Sequence, residues 1–207
     1  MNAFNLPQSA KVPNSGRVPK TKIIANDPKK DKKSLNNIEK IQWLYKLSPT
    51  TLHIPKEGKI EEIEIFLLTL KNKAHPKEAI RTIKRAINLP ILFKIEHENS
   101  FCYATYLIDK DNCFFSKWDE VLSFDFTATN LENLYESIIK KFLKEEVVTP
   151  HINLKESIDK SHKIEVLTKE IEALKKKIAR EKQFKKRLEL SRILKPKEEE
   201  LKNIQKK

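Results

Sequence analysis

The stretch KIQWLYKLSPTTLHIP, Lys40 to Pro55, decides how this chain folds, because its apolar residues fit two periods at once. Ile38, Ile41 and Leu44 or Tyr45 share one face of a helix, whereas Ile41, Trp43, Tyr45 and Leu47 alternate with Gln42, Leu44 and Lys46 as in a strand. Aromatic and β-branched side chains at every second position suit a pleated face. The reading is therefore a short helix from Ser34 to about Lys40 that passes into a strand, with Ile41, Trp43, Tyr45 and Leu47 inward and SPTT ending it. Trp43 is then a core anchor and stacks on a base only if that face is bare. Lys46, on the opposite face, is a candidate contact.

Downstream, KIEEIEIFLLTLK (59–71) predicts a second strand whose far end is apolar on both faces. HPKEAIRTIKRAI predicts an amphipathic helix with Pro76 in its first turn and Ala79, Ile80, Ile83 and Ile87 inward. PILFKIEHENSFCYATYLI reads as two strands around a turn at Glu98 to Ser100, and CFFSKWDEVLSFDF as one or two more. NLENLYESIIKKFL is a helix capped by Asn130. Together these predict an α+β domain over residues 38–150: a mostly antiparallel sheet of four to five strands with helices on one face.

The flanks differ in composition. Residues 1–37 hold four prolines, few large apolar residues and DPKKDKKS, and read as a basic, partly extended arm in which RVPKTKIIAN docks as an edge strand or on the domain surface. Residues 154–207 are a basic helical tail. Ile164, Leu167, Ile171, Leu174 and Ile178 step by three and four as a coiled-coil interface. Leu190, Leu194, Leu201 and Ile204 follow a shifted register, which leaves a stuttered coil or a helical hairpin turning near Lys182 to Lys185, and Pro196 breaks or kinks the helix near Lys195.

The net charge of +13 lies in these flanks. Residues 1–40 hold nine Lys and Arg against three Asp and Glu, residues 41–154 fifteen against sixteen, and residues 155–207 eighteen against ten. Basic ends around a neutral body suit an anionic partner gripped by arms. Candidate nucleic-acid contacts are Lys20 and Lys22 in the arm, Lys46, the helical stripe Lys77, Arg81, Lys84 and Arg85, and Lys182, Lys185, Lys186 and Arg187 in the tail. A solvated helix face or a solubilised coil surface explains the same charges.

Little else points to chemistry. With only Gly16 and Gly58, no phosphate-binding glycine loop, dinucleotide fingerprint or nucleophile elbow can be written. Cys102 and Cys113 with His97 fall short of the four ligands of a structural zinc, so no metal or other cofactor is expected. Glu96, Glu98, Asp119, Glu120 and Asp125 supply acids for a metal-dependent nuclease, but without the tight spacing that such a site uses. No apolar run is long enough for a membrane span and the N-terminus lacks a secretory h-region, so a cytosolic protein is expected, with no membrane partner.

In order along the chain, FNLP, VPKTKI, IQWLYKLSPTTLHIP, EIEIF, PILF, WDEVLSFDF and REKQFKKRLEL resemble the bacterial domain-of-unknown-function family four-three-nine-one over nearly the whole length. The resemblance carries over no activity. It implies a neighbourhood of helicases and DNA methyltransferases in restriction-like or defence islands. The expected function is a non-catalytic accessory protein of such a complex, with a helicase- or methyltransferase-type partner, salt-dependent contact to DNA or RNA, and homo-oligomerisation through the coil. A protein-interaction adaptor binding an acidic partner is the alternative, and a metal-dependent nuclease the third reading.

Overall fold

Five strands form one sheet in the order β1-β2-β3-β4-β5: Ile38–Leu47, Ile63–Leu70, Ile91–His97, Ser100–Tyr106 and Cys113–Phe115. The computed structural model describes residues 4–13, 16–108, 110–143 and 154–206, and divides the chain into two units, Met1–Phe142 and Leu143–Lys207. Three strand pairings are antiparallel, but β2 and β3 run parallel, so the sheet is mixed. The expected turn does join β3 to β4, with Glu98 in the left-handed region at φ 52°. The parallel pair arises because the eleven-residue helix between β2 and β3, Lys77–Ile87, carries the chain back along the sheet before β3 begins.

That helix is the third in chain order, α3; α1 is Lys20–Asn26, α2 the single turn Pro49–Leu52, and α4 Leu131–Lys140. α2 ends β1 as SPTT suggests: Ser48 caps it, its side chain accepting from Thr51 N–H while Thr51 Oγ1 accepts from Ser48 N–H at 2.8 Å. Asn130 caps α4 by accepting from Asn133 N–H at 2.9 Å.

The alternation in β1 is real but does not lie on one face. Trp43 pairs with Phe66 and Tyr45 with Ile65, so Leu44 is an extra residue that flips the side chains beyond it. Ile41 belongs to the core under α3 with Phe66, Leu68, Ile80, Ile83 and Phe93, and half-buried Trp43 packs against that core. Tyr45 instead meets Phe4 edge-to-face on the other side of the sheet. A single inward face is thus corrected to two half-faces joined by a bulge, and Lys46 shares the face of Trp43.

Both faces of the sheet are covered. α1, a 3-10 turn at Lys33–Leu35 and α3 supply Ile23, Leu35, Ile80 and Ile83 to one face. The opposite face, with Ile63, Ile65, Leu92 and Tyr103 buried, is covered by Phe4, Phe124 and Phe126. Phe124 in turn meets Phe142, two residues past α4, at 6.1 Å. Leu131, Leu134 and Ile138 of α4 are fully buried without joining the α3 core. α4 is tied to the rest of its unit by Tyr135, whose hydroxyl donates to Tyr106 O in β4, and by Glu132, which accepts from Lys59 N–H at 2.6 Å.

The described residues of the N-terminal segment, 4–13 and 16–37, pack onto the first unit. Phe4, Leu6, Ala10, Ile23, Asp27 and Leu35 are buried, and the chain runs along the free edge of β1, with Val12 N–H donating to Leu44 O at 2.9 Å and Val18 N–H to Ile41 O at 3.0 Å. Covering the edge in this way removes a row of unpaired backbone groups. The segment's prolines interrupt regular elements without preventing burial of the apolar residues between them. The short helix expected over Ser34 to Lys40 shrinks to the 3-10 turn, and β1 starts three residues early.

The second unit is a helical hairpin: α5, Leu154–Arg180, and α6, Phe184–Lys206, turn at residues 181–183. Lys163–Glu200, Lys175–Glu198 and Lys197–Glu170 bridge the two helices at 2.6 to 2.7 Å. Of the expected coil interface, Ile164, Leu167 and Ile171 are buried and Leu174 and Ile178 half-buried, while Leu190, Leu194, Leu201 and Ile204 of α6 are half-buried. The chain thus folds back on itself, and the register shift marks the turn. Pro196 does not end α6; the helix runs through it, and the next two residues, Lys197 and Glu198, pair with Glu170 and Lys175 of α5.

Gly16 shows how tightly the N-terminal segment is fitted. Its φ is +50°, and a Cβ there would stand 1.9 Å from Trp43 O. Gly16→Ala is expected to cost about 2 kcal/mol or more, roughly a 5 °C drop in Tm for a unit of this size, read by thermal denaturation; an unchanged Tm would show that the segment is not clamped to β1.

Candidate anion-binding surfaces

The basic stripe of α3 is mostly engaged within the protein. Arg81 pairs with Glu78 and donates to Asp111 Oδ1 at 3.0 Å. Lys84 donates to Leu107 O at 2.7 Å and Lys110 O at 2.6 Å, and its ammonium lies 5.4 Å from the centre of the Tyr106 ring. Arg85 donates through Nε to fully buried Asp27 at 2.8 Å and through Nη2 to Thr82 Oγ1 at 2.9 Å. Lys77 is exposed and makes no ion pair among the described residues. Lys46 pairs with Glu62, which raises its pKa.

A second group of lysines is differently placed. Lys20, Lys30, Lys32 and Lys71 line an open groove of about 760 Å³ together with Thr21, Ile24, Ala25, Leu35 and Asn36, and no carboxylate lines it. Lys20 is held below the usual lysine pKa by burial and then by the charge of Lys71, with Glu39 acting in the other direction. Lys22 is exposed on α1 and does not line the groove. Charge reading singles out Lys20 and the cluster DPKKDKKS, which holds Lys30 and Lys32; Lys71 joins them through the fold.

The hairpin turn gathers the third group. Lys182, Lys185, Lys186 and Arg187 are exposed beside Phe184, which is 69% exposed, and Arg187 lies over its ring at 5.9 Å. The three interhelical ion pairs of the hairpin use other lysines, and no ion pair to these four occurs among the described residues. Phe184 had no role in the periodic reading, and its exposure is what could have singled it out: it is the sole aromatic of the tail.

The acids are mostly spent on local structure. Glu96 pairs with Lys94 at 2.6 Å, Asp119 accepts from Phe101 N–H at 3.0 Å, Glu120 from Lys117 N–H at 2.7 Å and Asp125 from Thr127 N–H at 2.9 Å. Glu98 occupies the β3–β4 turn. No group of three or more His, Cys, Asp or Glu among the described residues is placed to hold a metal ion. Both cysteines are free thiols, and burial pushes Cys102 up to about 12, so it is not a thiolate nucleophile. Among the described residues no helix is long and apolar enough to cross a membrane.

Glu64 is the exception. It lies at the β1–β2 pairing opposite Lys46, is 3% exposed, and accepts from Trp43 Nε1. Burial raises its pKa to about 7, the Trp43 hydrogen bond opposes this, and nearby Glu62 adds to it. Trp43 is thereby held as a core residue with a polar tip. Its outer side borders a shallow cavity of about 440 Å³ with Gln8, Lys11 and Pro13.

A protein-family model described as Domain of unknown function (DUF4391) matches residues 4–201. No curated protein and no solved structure matches the chain.

The buried carboxyl makes a pH prediction. A folded-state pKa of about 7 against 4.5 means the folded protein holds a proton that the unfolded chain releases, so stability is full below pH 4.5 and falls until pH 7. Above pH 7 the burial of charge costs about 3 kcal/mol. Glu64→Gln, which keeps the acceptor for Trp43, is expected to leave stability near wild type at pH 5 and to raise Tm by several degrees at pH 8. Equal effects at both pH values would place the carboxyl in solvent.

Proposed function

The chain belongs to the DUF4391 family, and from the placement of its charge we propose that it is a non-catalytic accessory protein of a DNA-processing, restriction-like or anti-phage defence complex. It works in the cytoplasm and contacts nucleic acid through its basic hairpin turn and N-terminal segment. The observation that carries the reading is the contrast between two kinds of cation. Arg81, Lys84 and Arg85 of α3 face acids or carbonyls of their own unit, whereas Lys182, Lys185, Lys186 and Arg187 stand exposed without an acid partner among the described residues, around an exposed Phe184. Uncompensated ammonium and guanidinium groups beside a bare ring suit a phosphate backbone with room for one stacked base. DNA or RNA would satisfy them.

A second reading, a protein adaptor, draws on Val166, Leu188 and Ile193, which are 40 to 49% exposed on α5 and α6. These would take a partner helix, from a helicase- or methyltransferase-type protein or from a second copy of the chain, in the homo-oligomer that the coil was expected to form.

Fluorescence anisotropy of the full chain on labelled duplex DNA and on single-stranded RNA tests the first reading. Four released phosphate contacts predict roughly a 100-fold loss of affinity between 50 and 200 mM salt. Reversing Lys182, Lys185, Lys186 and Arg187 to Glu should abolish binding while Arg81→Gln, at a cation already engaged by Glu78 and Asp111, changes little. If nothing binds at 50 mM salt, the nucleic-acid reading is lost. Affinity capture before and after nuclease treatment then distinguishes the adaptor, whose partners would survive digestion.

A further inference from the structure

We infer that the groove between α1 and the loop at residues 27–36 is a binding site for a nucleoside di- or triphosphate, separate from the hairpin surface. Four lysines rim it and no carboxylate lines it, so its formal charge matches the three to four negative charges of such a ligand. Ile24, Ala25 and Leu35 provide an apolar floor on which a base can lie, and Thr21 and Asn36 offer hydroxyl and amide groups to a base edge or ribose. Polyphosphate alone would not use that floor, and an apolar ligand would not use the rim.

The groove is held open by a buried device. Asp27, fully buried, receives Arg85 from α3 and also Asp31 N–H at 2.9 Å and Lys29 N–H at 3.3 Å. These bonds wrap the loop around the carboxylate and set Lys30 in the left-handed region, φ 50°. Lys30 and Lys32 consequently project from a fixed turn rather than a loose tail. Two ammonium groups are already anchored, Lys30 Nζ on Ala25 O and Lys20 Nζ on Ile38 O, and each keeps two further N–H groups for phosphate oxygens. Pre-placed donors lose less side-chain entropy when a ligand arrives. Burial first, and then the charge of Lys71, lowers the pKa of Lys20 while Glu39 acts in the other direction, and an anion in the groove would relieve the Lys71 repulsion. Arg85 acts here as a positioning residue through Asp27.

The arrangement also distinguishes this site from a magnesium-dependent one. With no carboxylate in the lining, the lysines themselves are the counter-charge, so Mg²⁺ bound to the phosphates competes with them. Isothermal titration of the full chain in low salt with EDTA is the test, using ATP, ADP, pyrophosphate and adenosine. ATP and ADP should bind, pyrophosphate and adenosine each about tenfold more weakly or worse, and excess Mg²⁺ should weaken ATP several-fold. Lys32→Glu and Lys71→Glu, both at exposed positions that should not disturb folding, should each weaken ATP about tenfold. The four-residue hairpin variant should bind ATP as wild type does, so that this site and the nucleic-acid reading can fail independently. The inference is overturned if ATP does not bind at millimolar concentration, if Lys32→Glu and Lys71→Glu together leave its affinity unchanged, or if they weaken an oligonucleotide while no mononucleotide binds.

Discussion

The ion pair between Asp27 and Arg85 is the interaction on which the first unit depends. Asp27 has no solvent exposure, so its charge must be met entirely by protein. Two donors from Arg85 and two loop N–H groups do this, and hold the carboxyl at about 2, well below the usual range. The network extends outward: Arg85 also reaches Thr82, whose hydroxyl meets Ser34 Oγ at 2.8 Å, and Ser34 is tied to Asp31. A buried pair of this kind contributes modest net stability against an apolar alternative, yet removing one partner strands a charge and costs about 3–5 kcal/mol. What it contributes is uniqueness. The segment can satisfy Asp27 in one place only, against α3, and that placement fixes α1, the 27–36 loop and the lysines they carry.

The same logic governs β1. The bulge at Leu44 lets one strand feed two cores, Ile41 and Trp43 toward α3 and Tyr45 and Leu47 toward Phe4 and its aromatic neighbours. Without it, Tyr45 would point into the α3 core and the second face would lose its contact with Phe4. The bulge also brings Glu64 beneath Trp43 and Lys46 beside Glu62, so an acidic pair sits at the point where the strand changes sides. Lys46 thus compensates Glu62 rather than waiting for a partner.

Elements whose signal is local were legible in the residues. Ala79, Ile80 and Ile83 mark the buried side of α3, Asn130 caps α4, Glu98 marks the hairpin, and the register break near Lys182 marks the turn of α5 into α6. What was illegible depends on residues far apart in the chain. A one-residue bulge leaves alternation intact on paper while inverting it in space. The parallel pairing of β2 and β3 rests on the crossover through α3, which hydropathy does not encode. Prolines at 7, 13, 19 and 28 resemble those of a solvated arm until Phe4, Leu6 and Ile23 are seen to be buried between them.

The candidate surfaces follow from that distinction as well. Counting Lys and Arg locates positive charge but not its compensation, and compensation decides what remains for a ligand. Arg81, Lys84 and Arg85 form the best helical stripe in the sequence and are the most fully used by the fold, because a stripe beside acidic loops such as Asp27 and Asp111 folds onto them. Lys20, Lys30, Lys32 and Lys71 are scattered over fifty residues and form no motif, yet the fold gathers them around one groove. In a chain whose positive charge exceeds its negative by thirteen, the acids are the scarce partner. The cations they do not reach are the ones left to meet an anion from outside.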